Sequence, residues 1–197
     1  MSKLLIDLDR TLFDTASFVD SLWSWMAAEY GVDSEKERER GKQQFYNYVG
    51  DMYDYDFFAH IQDLGIDKDD LDKQVRQVLR PSFEFPDVEE FLERTADADR
   101  AILTFGNEPY QSFKLSFCPQ LLGLMPVYMT TQSKPGYIES HWPGEPTILI
   151  DDKQLAGTLP ETTRFIHLDR MQEASIVERE GYLAVNSLAA ISRERLV

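Results

Sequence analysis

A chain of 197 residues, 43% of them hydrophobic, is long enough to bury one sizeable core and too apolar to be disordered. Its formal net charge of −15 argues against binding to nucleic acid or acidic membranes, because a negative surface repels polyanions. A small anionic substrate remains compatible with this charge, because a metal ion and one lysine can reverse the potential locally. The single cysteine, Cys118, excludes a disulfide within the chain.

The N-terminal stretch predicts no targeting segment. The short apolar run after Lys3 is interrupted by two aspartates, which does not fit a signal peptide. The sequence contains no run of about 18 apolar residues that could span a membrane. We therefore expect a cytoplasmic protein, and the pattern predicts no particular oligomeric state.

The first element is an apolar strand that leads into two aspartates. Leu4, Leu5 and Ile6 precede Asp7 and Asp9, a pattern typical of a buried strand with carboxylates at its C-terminal end. Buried carboxylates are costly unless they are paired or bound to a cation. In open α/β sheets, ligands bind at the carboxyl ends of the strands. The pattern therefore predicts that both aspartates are chemically active and hold a metal ion.

Residues 15–84 are predicted to be helical, with no strand. Apolar residues recur at helical spacing from Thr15 to Tyr30. A further helix is predicted from about Asp67 to Leu79, with Asp67 as its N-cap and Val78 among its inward-facing residues. Seven aromatic residues lie between Phe45 and Phe58, and we interpret them as hydrophobic core of this segment rather than as substrate contacts.

From residue 86 onward, short apolar runs alternate with helical patterns. One helix is predicted to start at Pro109 and to continue to about Leu122. The alternation predicts an α/β fold with a Rossmann-like, mainly parallel sheet flanked by helices. The core would comprise residues 1–14 and 85–197, and residues 15–84 would be inserted after the first strand. The remaining strands are predicted at 101–105, 126–131, 147–152, 164–169 and 182–186.

Polar residues follow three of these later strands. Thr104 lies at the end of the second strand, Lys134 just beyond the third, and Asp151 and Asp152 at the end of the fourth. The carboxyl ends of parallel strands share one edge of a sheet. We therefore expect these side chains to meet the two aspartates of the first strand, although they are far apart in the sequence.

Taken together, these motifs resemble those of the haloacid dehalogenase-like superfamily of hydrolases. In that family, motif one is Asp-x-Asp followed by Thr and an apolar residue, and motif two is a Thr or Ser that closes a hydrophobic strand. Motif three is a Lys, often followed by Pro, and motif four is a hydrophobic strand that ends in an acidic pair. Residues 15–84 resemble the family's helical cap of the first (C1) type. The matching residues are Asp7-Leu8-Asp9-Arg10-Thr11-Leu12, Thr104, Lys134-Pro135 and Ile148-Leu149-Ile150-Asp151-Asp152.

The sequence departs from the family pattern in two places. Arg10 stands where glycine is commonest, and Phe105-Gly106-Asn107 replaces the usual Asn-Gly after the motif-two residue. Neither change removes a catalytic group. The second is expected to alter how backbone amides hold a phosphate.

The resemblance implies a Mg²⁺-dependent phosphatase that acts on a small phosphorylated metabolite. Asp7 would be the nucleophile and form an aspartyl-phosphate, and Asp9 would be the general acid and base. Asp7, the backbone carbonyl of Asp9 and Asp151 would hold Mg²⁺, with Asp152 contributing through a water molecule. Lys134 would offset the charge of the phosphate, and Thr104 and Lys134 would also count among the catalytic groups. The phosphate would be bound by Thr104, Phe105, Gly106, Asn107 and Lys134.

Three alternatives remain open. A phosphomutase or phosphotransferase of the same superfamily would use the same residues and pass the phosphoryl group to an organic acceptor. Hydrolysis of a carbon–halogen bond is disfavoured, because the dehalogenases that this sequence resembles generally lack the second acid of motif one, here Asp9. A non-catalytic protein that binds a phosphate ligand would be expected to have a damaged motif, whereas all four motifs are intact.

Overall fold

A computed structural model describes residues 2–49 and 52–196 of the chain. The outermost residue at each end of the predicted core, and residues 50 and 51 of the predicted insertion, lie outside this part. Two short 3₁₀ turns, Leu188–Ala190 and Arg193–Leu196, follow the last strand. The elements in chain order are β1 (Lys3–Ile6), α1 (Thr15–Tyr30), α2 (Ser34–Gln44), β2 (Tyr46–Val49), β3 (Met52–Tyr55), α3 (Phe57–Asp63), α4 (Lys68–Val78), α5 (Val88–Arg94), β4 (Arg100–Phe105), α6 (Glu108–Leu115), β5 (Val127–Thr130), α7 (Lys134–His141), β6 (Thr147–Asp151), β7 (Thr163–Leu168), β8 (Ile176–Arg179) and β9 (Tyr182–Val185).

Seven of the described strands form one sheet in the order β5-β4-β1-β6-β7-β9-β8. Neighbouring strands pair in parallel, except for the antiparallel pair of β8 and β9. Strand β1 lies between β4 and β6, and its Leu4, Leu5 and Ile6 are buried. A strand that is covered on both faces is expected to be a continuous apolar run, as observed. The predicted mainly parallel α/β sheet is therefore confirmed.

Successive side chains of β1 point to opposite faces of the sheet, and each face carries its own hydrophobic core. Leu4 and Ile6 belong to the larger core, which includes residues of α1, α3, α4, α5 and α6. Leu5 packs in the smaller core with Ile138 of α7 and with Trp142, directly after that helix. Helices thus cover both faces of the sheet, as predicted.

Residues 15–84, which we predicted to be inserted after the first strand and call the inserted segment, contain helices α1 to α4 and also a β-hairpin. Strands β2 and β3 pair antiparallel, with Tyr46 opposite Tyr55 and Tyr48 opposite Tyr53. The prediction that this segment contains no strand is therefore wrong. The tyrosines alternate with other residues along each strand, which is the period-two pattern of a β-strand, but their number suggested a hydrophobic core.

Several local predictions differ from the structure. Asp67 caps α4 as predicted, but Val78, at the end of that helix, is 55% exposed. Helix α6 ends at Leu115 rather than near Leu122, because the next backbone N–H groups bond three residues back and the chain then meets Pro119. Strand β8 was not predicted, because it is short and mostly exposed and pairs only with its neighbour β9.

Among the described residues, no helix combines the length and the apolar character that a membrane crossing requires.

Candidate active site

A cavity of about 350 Å³ lies between the carboxyl edge of the sheet and the inserted segment. This volume falls in the range of roughly 300–1,000 Å³ that is typical of small-molecule sites. The core contributes the ends of β1, β4 and β6 and the start of α7, whereas α1, α2 and the hairpin contribute the opposite wall. The structure thus brings seven predicted site residues to one cavity: Asp7, Asp9, Phe105, Gly106, Lys134, Asp151 and Asp152.

Lys134 joins the ends of two strands. Ser133 caps α7 through the backbone N–H of Gly136, which places Lys134 at the first turn of that helix. The Nζ of Lys134 lies 2.5 Å from a carboxylate oxygen of Asp7 and 2.5 Å from one of Asp151, and all three side chains are buried. Burial alone would lower the pKa of Lys134, but the carboxylates of Asp151 and Asp7 outweigh it and raise the pKa. Lys134 therefore carries a positive charge into the site.

Three carboxylates at this end of the cavity form a cluster with the geometry of a metal site. Asp7, Asp151 and Asp152 each place one oxygen within 4.8 Å of the others. Burial, together with the charges of Asp151 and Asp152, raises the pKa of Asp7 well above its ordinary value in spite of the Lys134 ammonium. Burial and then Asp151 raise the pKa of Asp152. One lysine thus leaves an excess of buried negative charge, and an all-oxygen cluster of this kind suits a hard divalent cation such as Mg²⁺.

Asp9 lies on another side of the same cavity, in a different environment. The Nζ of Lys114 lies 2.6 and 2.5 Å from its two oxygens, and the Thr15 hydroxyl donates to it at 2.7 Å. Gln111 donates to it from 3.4 Å. Burial alone would raise the pKa of Asp9, but the charge and hydrogen bond of Lys114 and the hydrogen bonds of Thr15 and Gln111 lower it. The two aspartates of one strand end therefore have opposite pKa shifts.

The sequence did not predict the partners of Asp9. Gln111 and Lys114 lie three residues apart on α6, and both are buried although they are polar. Their neighbours Tyr110 and Phe113 are also buried. The sequence did contain a signal for these two partners of Asp9. A glutamine and a lysine on an otherwise apolar helix face need polar partners when they are buried.

The end of β4 forms part of the cavity wall. Phe105 and Gly106 line the cavity, whereas Thr104 is fully buried behind it and donates from its hydroxyl to the side-chain carbonyl of Gln111 at 3.3 Å. Gly106 has a φ of +138°, and a Cβ at this position would lie 2.4 Å from the Gln111 side chain. Glycine is thus required here for Gln111 to reach Asp9. The proposed contact between Thr104 and a phosphate stays a prediction.

Comparison with known proteins shows similarity in structure but not in sequence. No protein-family model matches the chain, and no curated protein matches it. A solved structure described as a haloacid dehalogenase-like hydrolase, from Burkholderia xenovorans, superposes with a TM-score of 0.63 at 16% identity, over 84% of this chain and 81% of its own. The HAD-hydrolase YfnB of Bacillus subtilis, solved bound to magnesium, gives 0.57 at 13% identity over 95% of each chain. The L-2-haloacid dehalogenase of Xanthobacter autotrophicus, with chloropropionic acid covalently bound, gives 0.54 at 15% identity over 95% of each chain.

The chain has the haloacid dehalogenase-like fold. Other solved structures that share this fold with the chain include a dehalogenase and a protein described as a β-phosphoglucomutase, from Thermotoga maritima.

Arg10, the first departure from the motifs of the haloacid dehalogenase-like fold, has a left-handed backbone. Its φ of +60° is the one positive value among the described residues that are not glycine, and this explains why glycine suits the position. The Arg170 side chain donates to the carbonyls of Arg10 at 3.1 Å and Thr11 at 2.7 Å, and is itself held by Asp87. A left-handed arginine costs on the order of 1 kcal/mol, and these bonds help to hold it.

Asn107, in the second departure, connects the core to the hairpin. Its backbone N–H and its side-chain amide both donate to Asp54 at 2.7 Å, and the amide also donates to the carbonyl of Tyr55 at 2.8 Å. Asn107 is not one of the described residues that line the cavity. Its backbone amide is therefore bound to the hairpin in this structure, and its predicted contact with a phosphate remains a prediction.

The aromatic residues of the hairpin region divide into two groups. Phe57 is fully buried in the core, in keeping with the interpretation from the sequence. Tyr46 and Tyr53 instead line the cavity, where core packing was expected, whereas Tyr55 both lines the cavity and packs against the core. The alternation of the two strands explains the difference, because it turns the tyrosines of both strands toward one face.

Mg²⁺ is expected to stabilise the folded protein through the carboxylate cluster. At a concentration a hundredfold above its dissociation constant, the added stability is about 2.7 kcal/mol, which raises the Tm of a chain of this size by roughly 5–10 °C. Differential scanning calorimetry with and without EDTA measures the shift. Asp151→Asn should reduce it strongly, whereas Asp69→Asn, at an exposed position of α4, should leave it unchanged. An equal shift in both variants would contradict the assignment of the cluster as the metal site.

Proposed function

We propose that the protein is a magnesium-dependent phosphatase of the haloacid dehalogenase-like superfamily that hydrolyses a small phosphate monoester. The supporting observation is the contrast between two aspartates on one cavity. Asp7 lies within the carboxylate cluster and contacts Lys134, while Asp9 is held by Lys114. One carboxylate in a cluster that suits a metal ion and another beside a separate ammonium suit two different roles in one reaction.

Asp7 is the nucleophile in this proposal. Its carboxylate oxygen attacks phosphorus, the bond between phosphorus and the leaving oxygen breaks, and an aspartyl-phosphate forms. Mg²⁺, when bound by Asp7, Asp151 and Asp152, would neutralise charge on the phosphoryl oxygens. Lys134 adds a fixed positive charge beside Asp7, in a buried site where electrostatic interactions are strong.

Asp9 is the general acid and base in this proposal. In the first step protonated Asp9 donates its proton to the leaving oxygen, and the ammonium of Lys114, in contact with both Asp9 oxygens, stabilises the carboxylate that results. In the second step the Asp9 carboxylate takes a proton from water, which attacks phosphorus and releases Asp7 and inorganic phosphate. Thr15 and Gln111 hold the carboxylate in position for both steps.

The pair of Asp9 and Lys114 also weighs against carbon–halogen hydrolysis. A halide leaves as an anion and needs no proton, so a buried acid with its own ammonium partner would have no task in that step. A phosphomutase would use the same residues, and the product distinguishes it, because a mutase forms an isomer of its substrate and a phosphatase releases phosphate.

Purified protein with Mg²⁺ should release inorganic phosphate from 4-nitrophenyl phosphate. EDTA should stop the release and excess Mg²⁺ should restore it, because the carboxylate cluster then regains its cation. A colorimetric phosphate assay measures the rate. Folded protein that binds Mg²⁺ and releases no phosphate from a broad panel of phosphate esters would contradict the proposed function.

A further inference from the structure

The wall that the inserted segment contributes to the cavity carries positive charge. Arg38 and Lys42 lie one turn apart on α2, and both line the cavity. They do so in a chain with a net charge of −15, most of whose surface therefore repels anions. Tyr46 and Tyr53 form the wall beside them, with their rings stacked 4.2 Å apart and 10° from parallel.

Arg38 is held in place without using all of its donors. One Nη lies 2.8 Å from an oxygen of Asp20, and the other donates to the carbonyl of Val19 at 3.2 Å. Its Nε is buried and has no hydrogen-bond partner among the described residues. Arg38 also lines the cavity, so its charge can act on an anion bound there.

Lys42 is also available to a ligand. Its Nζ lies 3.3 Å from Glu39, and both side chains are more than half exposed, at 57% and 58%. An exposed pair of this kind contributes little to stability and is easily exchanged. The ammonium can therefore turn to an anion inside the cavity.

Each acidic group near this wall has a partner, and for the exposed Asp20 and Glu39 that partner is Arg38 or Lys42. Asp54 lines the cavity, but its carboxylate accepts two hydrogen bonds from Asn107. Glu37, also on α2, lies 2.6 Å from Arg40. Asp20 pairs with Arg38 but is 68% exposed, so water screens its charge. A second anion would therefore meet a net attraction at this wall.

We propose that the substrate is a phosphate monoester of a ring-containing alcohol that bears a second anionic group, a carboxylate or a second phosphate, which Arg38 and Lys42 bind. The inference rests on the proposed phosphatase activity and adds the chemical class of the substrate. The ring would lie against Tyr46 and Tyr53, since flat aromatic faces pack well on one another. The second anion then fixes the orientation of the substrate, because Arg38 and Lys42 bind it while the phosphate occupies the site beside Asp7.

Two pairs of probes test this inference. Benzyl phosphate and 4-carboxybenzyl phosphate share a closely similar leaving alcohol and differ in the remote charge. The non-hydrolysable benzylphosphonate and 4-carboxybenzylphosphonate report binding alone, by calorimetry. The carboxylated member of each pair should have a kcat/KM, or an affinity, higher by about tenfold or more. With the plain ring, Arg38 and Lys42 would have no anion to bind. A third substrate, 4-(phosphonomethyl)benzyl phosphate, distinguishes a second phosphate from a carboxylate.

Lys42→Gln and Arg38→Gln should each reduce the preference for the carboxylated probe several-fold. Lys36→Gln removes the same charge from an exposed position of α2 and should keep it. Lys42 is exposed, so its variant tests the inference even where Arg38→Gln fails to fold.

Each outcome bears on one of the two proposals. Equal binding of the two phosphonates would overturn the second-anion site, and so would a preference that survives in both variants. Preferential binding of the carboxylated phosphonate without hydrolysis of any phosphate would keep this site and overturn the phosphatase activity.

Discussion

Replacing Asp7 by Asn should lower kcat for 4-nitrophenyl phosphate by about 10⁴-fold or more, which is the scale seen when a nucleophile is removed. An amide is a poor nucleophile, so no aspartyl-phosphate can form at this position. The fold should survive, because Lys134 keeps its contact with Asp151, at 2.5 Å. Steady-state kinetics with saturating Mg²⁺ measures the effect, and circular dichroism checks the fold.

Asp69→Asn is the matched control for this change. It makes the same substitution at an exposed residue of α4, far from the cavity lining, and kcat should be unchanged. Activity retained by the Asp7 variant, at more than a few per cent of the unmodified protein, would contradict the role of Asp7 as the nucleophile.

Replacing Asp9 by Asn should lower kcat by about 10²- to 10⁴-fold, the usual contribution of a general acid and base. The two steps should respond differently. 4-Nitrophenolate leaves without a proton, so Asp7 should still be phosphorylated, whereas hydrolysis of the aspartyl-phosphate needs a base and should become slow. Burst kinetics should therefore show one rapid release of nitrophenolate per active site, followed by a slow steady state.

This substitution also leaves Lys114 without its carboxylate. Lys114 is only 3% exposed, and an unpaired buried charge costs about 3–5 kcal/mol. The double variant Asp9→Asn with Lys114→Met removes both charges and should regain stability while remaining slow. Alkyl phosphates, whose leaving oxygen needs a proton, should be turned over even more slowly than the aryl phosphate by both variants. Equal losses on aryl and alkyl substrates would argue against Asp9 as the proton donor.

The part of the fold that could be predicted is the part whose sequence patterns have a single physical explanation. Leu4 to Ile6 form an apolar run that suits only a buried element, and two acids directly after such a run need a chemical explanation. The same reasoning located Asp151 at the end of β6, and parallel pairing then brought distant residues to one edge. The order of elements was sufficient for the parallel strands, because helices that separate such strands must cover the faces of the sheet, but it did not reveal the antiparallel edge strand β8.

The features that could not be predicted depend on which neighbours each side chain contacts in the folded protein. Thr104 was predicted at the site from its place at a strand end, yet its hydroxyl faces Gln111. Lys114 looked like any helical lysine until the packing of α6 placed it against Asp9. The tyrosines of the hairpin fitted either a core or a cavity wall, and only the pairing of β2 with β3 distinguished the two.

The inserted segment contributes the features of the cavity that motif comparison could not supply. Its hairpin is bound to the core through Asp54 and Asn107, and its α2 places Arg38 over the cavity. On the proposed function, these contacts would connect the choice of substrate to the position of the segment. They also explain why the four motifs indicate a reaction type without indicating a substrate.

The most direct test of the mechanism is to trap the phosphorylated enzyme. Acid quench of the Asp9→Asn variant within its burst, followed by peptide mass spectrometry, should show one phosphoryl group on Asp7, and none in the Asp7→Asn variant. Absence of phosphorylation during a clear nitrophenolate burst, or a phosphoryl group on another residue, would contradict Asp7 as the nucleophile.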